Sequence, residues 1–156
     1  MKKIQASVVS AALAIGMAIP AWAGVNDPEV IIYRFPGVRD NGGTGLTGFA
    51  TIFHCTNFSG VDENVRIVTR SEDGTLKSNF VTTLSHLKTV GAATHAVFSY
   101  SSFGMGTGAV SEGTAAIAAT STNIICTAMV LDAATARPDG VALRGIRFNP
   151  VPGSQE

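Results

Sequence analysis

The chain has 156 residues, with 11 basic and 11 acidic side chains and no formal net charge. This balance excludes the basic excess by which nucleic-acid-binding proteins attract phosphates, and charged residues make up only 14% of the chain. Gly is abundant at 17 residues, and together with Thr, Ala, Val and Ile it favours strands and turns over long helices.

The first 23 residues have the pattern of a secretory signal peptide. Lys2 and Lys3 give a basic start, an apolar run follows over residues 8–19, and the segment ends on a small-x-small sequence at 21–23. The run is shorter than the roughly 20 apolar residues that a membrane-spanning helix needs. The pattern therefore predicts a cleaved leader and no stable membrane anchor.

Cleavage is predicted between Ala23 and Gly24, which leaves one mature domain over residues 24–156. Loss of the two leader lysines gives that domain 9 basic and 11 acidic side chains. Its length is ordinary for a single domain with its own core. We expect the domain to be exported, either to the periplasm or to the extracellular medium.

The two cysteines, Cys55 and Cys126, are predicted to form a disulfide. An even cysteine count in an exported chain is typical of disulfide pairing, because the compartment is oxidising. The residues are 71 positions apart, and closing a loop of that length stabilises a fold by about 4 kcal/mol on the chain-entropy model. The alternative is two separate buried thiols that pack as small apolar side chains.

Period-two patterns and turn residues divide the mature chain into short strands. The clearest is 47–57, which is apolar on both faces and so predicts a strand covered on both sides. A hairpin is predicted for 63–70 and 75–84, with Asp73-Gly74 in its turn. The other predicted strands are 29–35, 94–100, 115–120, 123–132 and 141–148, separated by a loop at 36–45, a crossing segment at 86–92 and a long Gly-rich loop at 101–113.

About seven to eight strands with turns every 8–12 residues predict an all-β, antiparallel β-sandwich. A disulfide that joined its two sheets would make it immunoglobulin-like in architecture. The only Trp of the chain, Trp22, lies in the leader, so the mature domain lacks the tryptophan that true immunoglobulin domains pack against their disulfide.

Three short motifs carry a resemblance to a known group of proteins. They are GFATIFHCTN at 48–57, DGTL at 73–76 and GTAAI at 113–117. Together they are similar to uncharacterised bacterial secreted β-sandwich domains, in which a strand ending in Thr-Asn is paired with a hairpin turning on Asp-Gly. The resemblance implies an immunoglobulin-like sandwich and no catalytic residues.

The residues that could carry chemistry are few and scattered. His54, His86 and His95 show none of the local spacings of zinc ligands, so we predict no metal site and no cofactor. No Gly-x-Ser-x-Gly motif surrounds a serine, and the loop serines 101, 102 and 111 have no marked base near them in sequence. Gly104 to Gly108 lacks the βαβ context of a dinucleotide loop.

Several polar residues are interpreted as parts of turns or edges. The carboxylate pairs at 62–63 and 72–73 are predicted to lie in solvent at turns. Asn57-Phe58-Ser59 matches a glycosylation acceptor, but the two polar residues are better explained as the turn after a strand. Arg137, Arg144 and Arg147 are interpreted as edge charges that oppose strand-to-strand aggregation.

The leading functional hypothesis is an exported, non-catalytic module that binds or adheres, with an envelope protein or a glycan as its partner. The Gly-rich loop 101–113 is either a plain linker or a binding loop on a rigid sheet. The second hypothesis is a structural subunit of a surface fibre or matrix, in which residues 30–33 add to a neighbour's sheet. The third is an enzyme whose site is assembled from distant loops.

Overall fold

A computed structural model describes residues 24–43, 45–137 and 139–148 of the chain. The predicted signal peptide lies outside these residues. Within them the fold is all-β, as predicted, and none of them forms a helix that could cross a membrane.

The described residues form ten strands in two five-stranded sheets, which pack face to face as a β-sandwich. Sheet A has the order β10-β1-β7-β3-β4, and sheet B has the order β6-β5-β2-β8-β9. All neighbouring strands are antiparallel except β5 and β6, which are parallel. The strands are β1 Val30–Asp40, β2 Phe49–Asn57, β3 Glu63–Arg70, β4 Leu76–Leu84, β5 Thr89–Ala93, β6 Phe103–Gly104, β7 Val110–Ala119, β8 Ile124–Asp132, β9 Gly140–Leu143 and β10 Ile146–Arg147.

The main core lies between the two sheets and follows directly from the period of two along each strand. Phe35, Ile67 and Ile117 of sheet A and Phe53 of sheet B are fully buried in it. The rings of Phe35 and Phe53 meet edge to face with centroids 5.8 Å apart, which is a favourable geometry for an aromatic pair.

The disulfide between Cys55 and Cys126 is present, as the sequence predicts. The two cysteines are directly opposite in the β2–β8 register, with a Cα–Cα distance of 4.2 Å. The bridge therefore links two neighbouring strands of sheet B, and an inter-sheet bridge of the immunoglobulin kind is not formed. Both cysteines point into the main core, because they occupy matching inward positions of adjacent strands.

The outer face of sheet B carries a second, smaller core. Ala50, Ile52 and Leu131 lie there beneath Val97, which explains why β2 is apolar on both faces. The predicted strand 94–100 is wrong, because this segment crosses the outer face of sheet B without joining a sheet. Its backbone is held by hydrogen bonds from the amides of Thr94 and Phe98 to strand and turn carbonyls.

Other segments also differ from the prediction. The crossing segment at 86–92 contains most of β5, which pairs with β2. The loop predicted to begin at Pro36 begins only after Asp40, because β1 continues through a bulge at Gly37, which has a φ of 81°. Pro36 is tolerated there because β10 pairs with β1 only at Tyr33 and Arg34, so the proline lies beyond that short edge strand.

The strand predicted over 141–148 is instead β9 and β10, which belong to different sheets. Gly145 lies at the crossing between them. A Cβ atom at this position would lie 2.4 Å from the ring of Phe35, so only glycine allows the chain to pass so close to the core.

Candidate functional site

The most distinctive surface of the sandwich is the outer edge of β4. This strand pairs with β3 on one side, and no described strand pairs with it on the other. A bulge at Lys77 interrupts the register, which passes from Thr69–Ser78 to Arg70–Leu76. The seven residues that follow the bulge, 78–84, pair regularly with β3 and carry no charge.

An edge strand of this kind presents a row of unpaired backbone N–H and C=O groups to solvent. Natural proteins usually protect such edges with a charged side chain, a proline or a bulge. Here the bulge and the only charge both lie at Lys77, and residues 78–84 have neither protection nor proline. Val81, at the middle of this stretch, is 46% exposed.

A second chain segment adds aromatic surface beside β4. Phe103 of β6 is 59% exposed, and its ring centroid lies 5.7 Å from that of Phe80 of β4. The edge strand of sheet B thus reaches the edge strand of sheet A on this side of the sandwich. We name β4 together with Phe103 the open edge.

The Gly-rich segment 101–113 positions Phe103. This segment was predicted as one long loop, but β6 and the start of β7 lie within it. The amide of Met105 donates to the carbonyl of Ala93 at 2.7 Å, and the amide of Thr107 donates to that of Thr94 at 3.1 Å. Met105 also packs against the main core. Plain linkers lack such contacts, so the segment is part of the sandwich.

The opposite side of the sandwich is arranged differently. There the chain leaves the four-residue β9 of sheet B and enters the two-residue β10 of sheet A. Val141 of β9 is 71% exposed, and it offers a matched position for controls. Both edge strands on this side are too short to offer an extended row of backbone groups.

Asp40 and His95 form a buried histidine–carboxylate pair. The Nδ1 atom of His95 lies 2.7 Å from a carboxylate oxygen of Asp40, and both side chains are buried. The Nε2 atom faces the backbone carbonyl of Thr47 at 3.1 Å, so it carries a proton and donates it. Both ring nitrogens of His95 are therefore engaged, and neither is available as a base in this geometry.

Asp40 also binds two other segments. One of its oxygens accepts the amide of Gly42 at 2.7 Å, and the other lies 3.4 Å from the hydroxyl of Thr107. The Asp40–His95 pair thus holds together the end of β1, the segment that crosses sheet B and the Gly-rich segment. It acts as a clamp on loops.

The other two histidines lie apart from this clamp. His54 stands on the outer face of sheet B, where its ring meets that of Tyr100 edge to face at 4.6 Å. Burial lowers the pKa of His54 below its ordinary value of 6.5, because desolvation disfavours the imidazolium. His86 accepts the amide of Gly60 through Nδ1. Among the described residues, no group of three His, Cys, Asp or Glu side chains could hold a metal ion.

One of the carboxylate pairs departs from prediction. Glu63, expected in solvent, is fully buried, because it is the first inward-facing residue of β3. The Thr120 hydroxyl donates to its Oε2, while its Oε1 has no hydrogen-bond partner among the described residues. Glu72 and Asp73 are exposed, as predicted. Hydrogen bonds from the Ser71 hydroxyl and the Thr75 amide lower the pKa of Asp73 to about 2.

The remaining polar candidates have structural partners. Asn57 is buried, and its side-chain oxygen accepts the amide of Ser59, so it makes the turn that the sequence predicts. Arg147 donates to the carbonyl of Thr122 and lies over the ring of Tyr33, so it is not a solvated edge charge. Arg137 and Arg144 are exposed. Of the loop serines, 101 and 111 are exposed and 102 is partly buried.

An open cleft of about 600 Å³ lies at the start of β2. Thr47, Phe49 and Asp132 are among its lining residues. Asp132 accepts the amide of Ala134, and the Arg39 guanidinium lies 5.2 Å from the centre of the Phe49 ring. The cleft therefore places an aromatic residue beside a carboxylate-bearing and a hydroxyl-bearing residue, which is a combination suited to contacts with a sugar.

Comparison of the chain with protein-family models, with curated proteins and with solved structures finds no match.

Proposed function

We propose that the chain is an exported, non-catalytic binding module that engages its partner by strand addition at the open edge. The observation that carries this proposal is the regular, uncharged and unpaired stretch 78–84 of β4. In this mode of recognition an extended peptide completes the sheet, so the main chain supplies affinity and neighbouring side chains supply specificity.

The surroundings of β4 support the proposal. Phe103 and Phe80 provide an apolar contact beside the strand, so an added peptide would gain buried area as well as hydrogen bonds. Backbone hydrogen bonds join the Gly-rich segment to Ala93 of β5 and to Thr94. They hold Phe103 in place before a partner binds, which lowers the entropic cost of binding.

Two other observations favour export and binding over catalysis. The Cys55–Cys126 bridge fits a protein that matures in an oxidising compartment, in agreement with the predicted leader. The best acid–base pair, Asp40 and His95, is buried and bound to backbone and loop groups, so it serves the fold.

The experiment compares three forms of the chain, each expressed with residues 1–23 and purified from the exported fraction. Wild type, Val81→Glu and Val141→Glu are immobilised and challenged with solubilised cell-envelope proteins. We expect Val81→Glu to retain at least about tenfold less bound protein, because a charge is placed where the partner strand must dock. Val141→Glu should bind as wild type does.

Val81→Glu is expected to fold, because its neighbour across the β3–β4 register is Arg66. Thermal melting of each variant checks this. Equal binding by all three forms, or no binding by any of them, would overturn strand addition to an envelope protein at the open edge.

A glycan ligand is the competing candidate, and the cleft beside Phe49 is what favours it. A glycan array probed with wild type and Phe49→Ala separates the two. Glycan binding that is lost in Phe49→Ala and kept in Val81→Glu would place the function at the cleft.

The fibre hypothesis takes a different form in this fold. Residues 30–33, expected to add to a neighbour's sheet, are already part of β1, which pairs with β7 and β10 of the same chain. A fibre or matrix subunit would have to assemble through the open edge instead.

A further inference from the structure

We propose that the partner at the open edge is a second copy of this chain, joined antiparallel through β4 so that the two A sheets become one continuous sheet. This proposal rests on the proposed function and names its partner. It predicts a two-fold axis that is perpendicular to the sheet and passes midway between the two Val81 residues.

The stretch 78–84 is suited to such symmetric pairing. It has seven residues, and Val81 is its midpoint. Pairing about Val81 sets each Phe80 opposite Thr82 of the second copy and each Asn79 opposite Thr83, and the two Val81 side chains face each other. Residues on the same face of the strand are always matched, so both copies keep their outer and inner faces in common.

Charge does not oppose the pairing. Residues 78–84 contain no charged side chain, and Lys77 falls opposite Ser85 of the second copy, away from the other Lys77. The mature chain, with 9 basic and 11 acidic side chains, has too small a net charge for strong repulsion between copies. An edge without charge or proline is what proteins avoid when they must remain unpaired.

The described chain ends far from β4 in the strand order of sheet A. The described chain ends at Phe148, whose amide binds Ile32 of β1 at the far side of sheet A. Three strand spacings separate β1 from β4, a distance of about 14 Å at roughly 4.8 Å each. A second copy supplies an intact strand.

The first test is cross-linking in the exported, full-length product. Val81→Cys should form an inter-chain disulfide on mild oxidation, because residues directly opposite each other in an antiparallel pair have Cα atoms roughly 4.5–5.5 Å apart, within the range of disulfides. Val141→Cys, at a more exposed position of another edge strand, is the control. A mixture of Asn79→Cys and Thr83→Cys should give the mixed dimer in preference to either like dimer.

The second test is oligomeric state by light scattering across a concentration series. Wild type should be dimeric, and Val81→Glu should raise the dimer dissociation constant by at least about tenfold, because two carboxylates then face each other. Val141→Glu should dimerise as wild type does, and melting curves check that each variant folds.

The outcomes of these tests distinguish failure of self-pairing from failure of the proposed function. A monomeric wild type with no cross-link above the Val141→Cys control overturns self-pairing, and the function still stands if envelope proteins bind through Val81. A dimer that Val81→Glu leaves intact also overturns it. Failure of both dimerisation and envelope binding overturns the function itself.

Discussion

At the scale of single residues, two buried polar side chains at one end of the sandwich differ in how fully they are hydrogen-bonded. Asn57 donates to the carbonyls of Val61 and Leu84 and accepts the amide of Ser59, so each of its polar atoms is engaged. Glu63 is equally buried but has the Thr120 hydroxyl on one oxygen and nothing described on the other. Because a buried polar group without partners costs stability, Glu63 depends on Thr120.

Replacing Thr120 by Val should therefore destabilise the protein by about 2 kcal/mol, since the hydroxyl also accepts the amide of Asn64. Urea denaturation measures the loss, and Thr114→Val, an exposed change on β7, which ends just before Thr120, should be close to neutral. The double variant Glu63→Leu and Thr120→Val should lose less than the sum of the single changes, because no orphaned carboxylate is left. Additive losses would show that the two side chains are energetically independent.

At the scale of elements, the Asp40–His95 clamp explains how irregular segments are held on a sandwich of short strands. It joins the end of β1 to the segment that crosses sheet B and to the Gly-rich segment. The Gly-rich segment in turn carries Phe103 of the open edge. A buried pair thus supports a surface feature without contacting it.

Asp40→Ala should loosen the Gly-rich segment. We expect the amides of Met105 and Thr107 to exchange hydrogen at least about tenfold faster, because the loops lose their common anchor. Hydrogen exchange followed by mass spectrometry measures this, with Asp62→Ala at an exposed turn as the control. Unchanged exchange in Asp40→Ala, with its fold intact, would assign the ordering of the segment to its backbone bonds alone.

The strands that could be predicted from sequence are those with strong local signals. The hairpin of β3 and β4 was correct because Asp73-Gly74 marks its turn, and β2 and β8 were found because both faces of each are apolar. The alternation of apolar and polar residues in 94–100 predicts a strand, but the segment packs on the outer face of sheet B. The same alternation occurs in paired strands, so the sequence does not distinguish the two arrangements. Likewise Pro36 predicts a loop, since a bulge within β1, beyond the end of the short edge strand β10, has no sequence signal of its own.

The open edge could not be predicted from the sequence. No pattern in residues 78–84 says that β4 is an edge, because an edge is defined by the order of strands in a sheet. The approach of Phe103 to Phe80 joins residues from different sheets and is equally invisible in sequence. The sequence does show that residues 78–84 contain no charge and no proline. This indicates an unprotected edge only once the strand order is known.

At the scale of the whole molecule, the disulfide makes the stability of the fold depend on the compartment in which the chain folds. Cys55 and Cys126 lie in two neighbouring interior strands of sheet B, β2 and β8, and both reach the main core. The bridge closes a separation of 71 residues. Stability should therefore depend on whether the chain folds in an oxidising compartment, which is where the predicted leader would deliver it.

Removing residues 1–23 should retain the chain in the reducing cytosol with two free thiols, whereas the chain made with its leader should have none when both are titrated in denaturant. We expect the reduced form to be less stable by up to about 4 kcal/mol in urea denaturation, the value for a loop of this length. The double variant Cys55→Ala and Cys126→Ala should be insensitive to reductant, and its two versions, with and without the leader, should have equal stability once purified. If thiol titration instead finds free cysteines in the chain made with its leader, then the protein does not mature in an oxidising compartment, and the argument for export loses its chemical support.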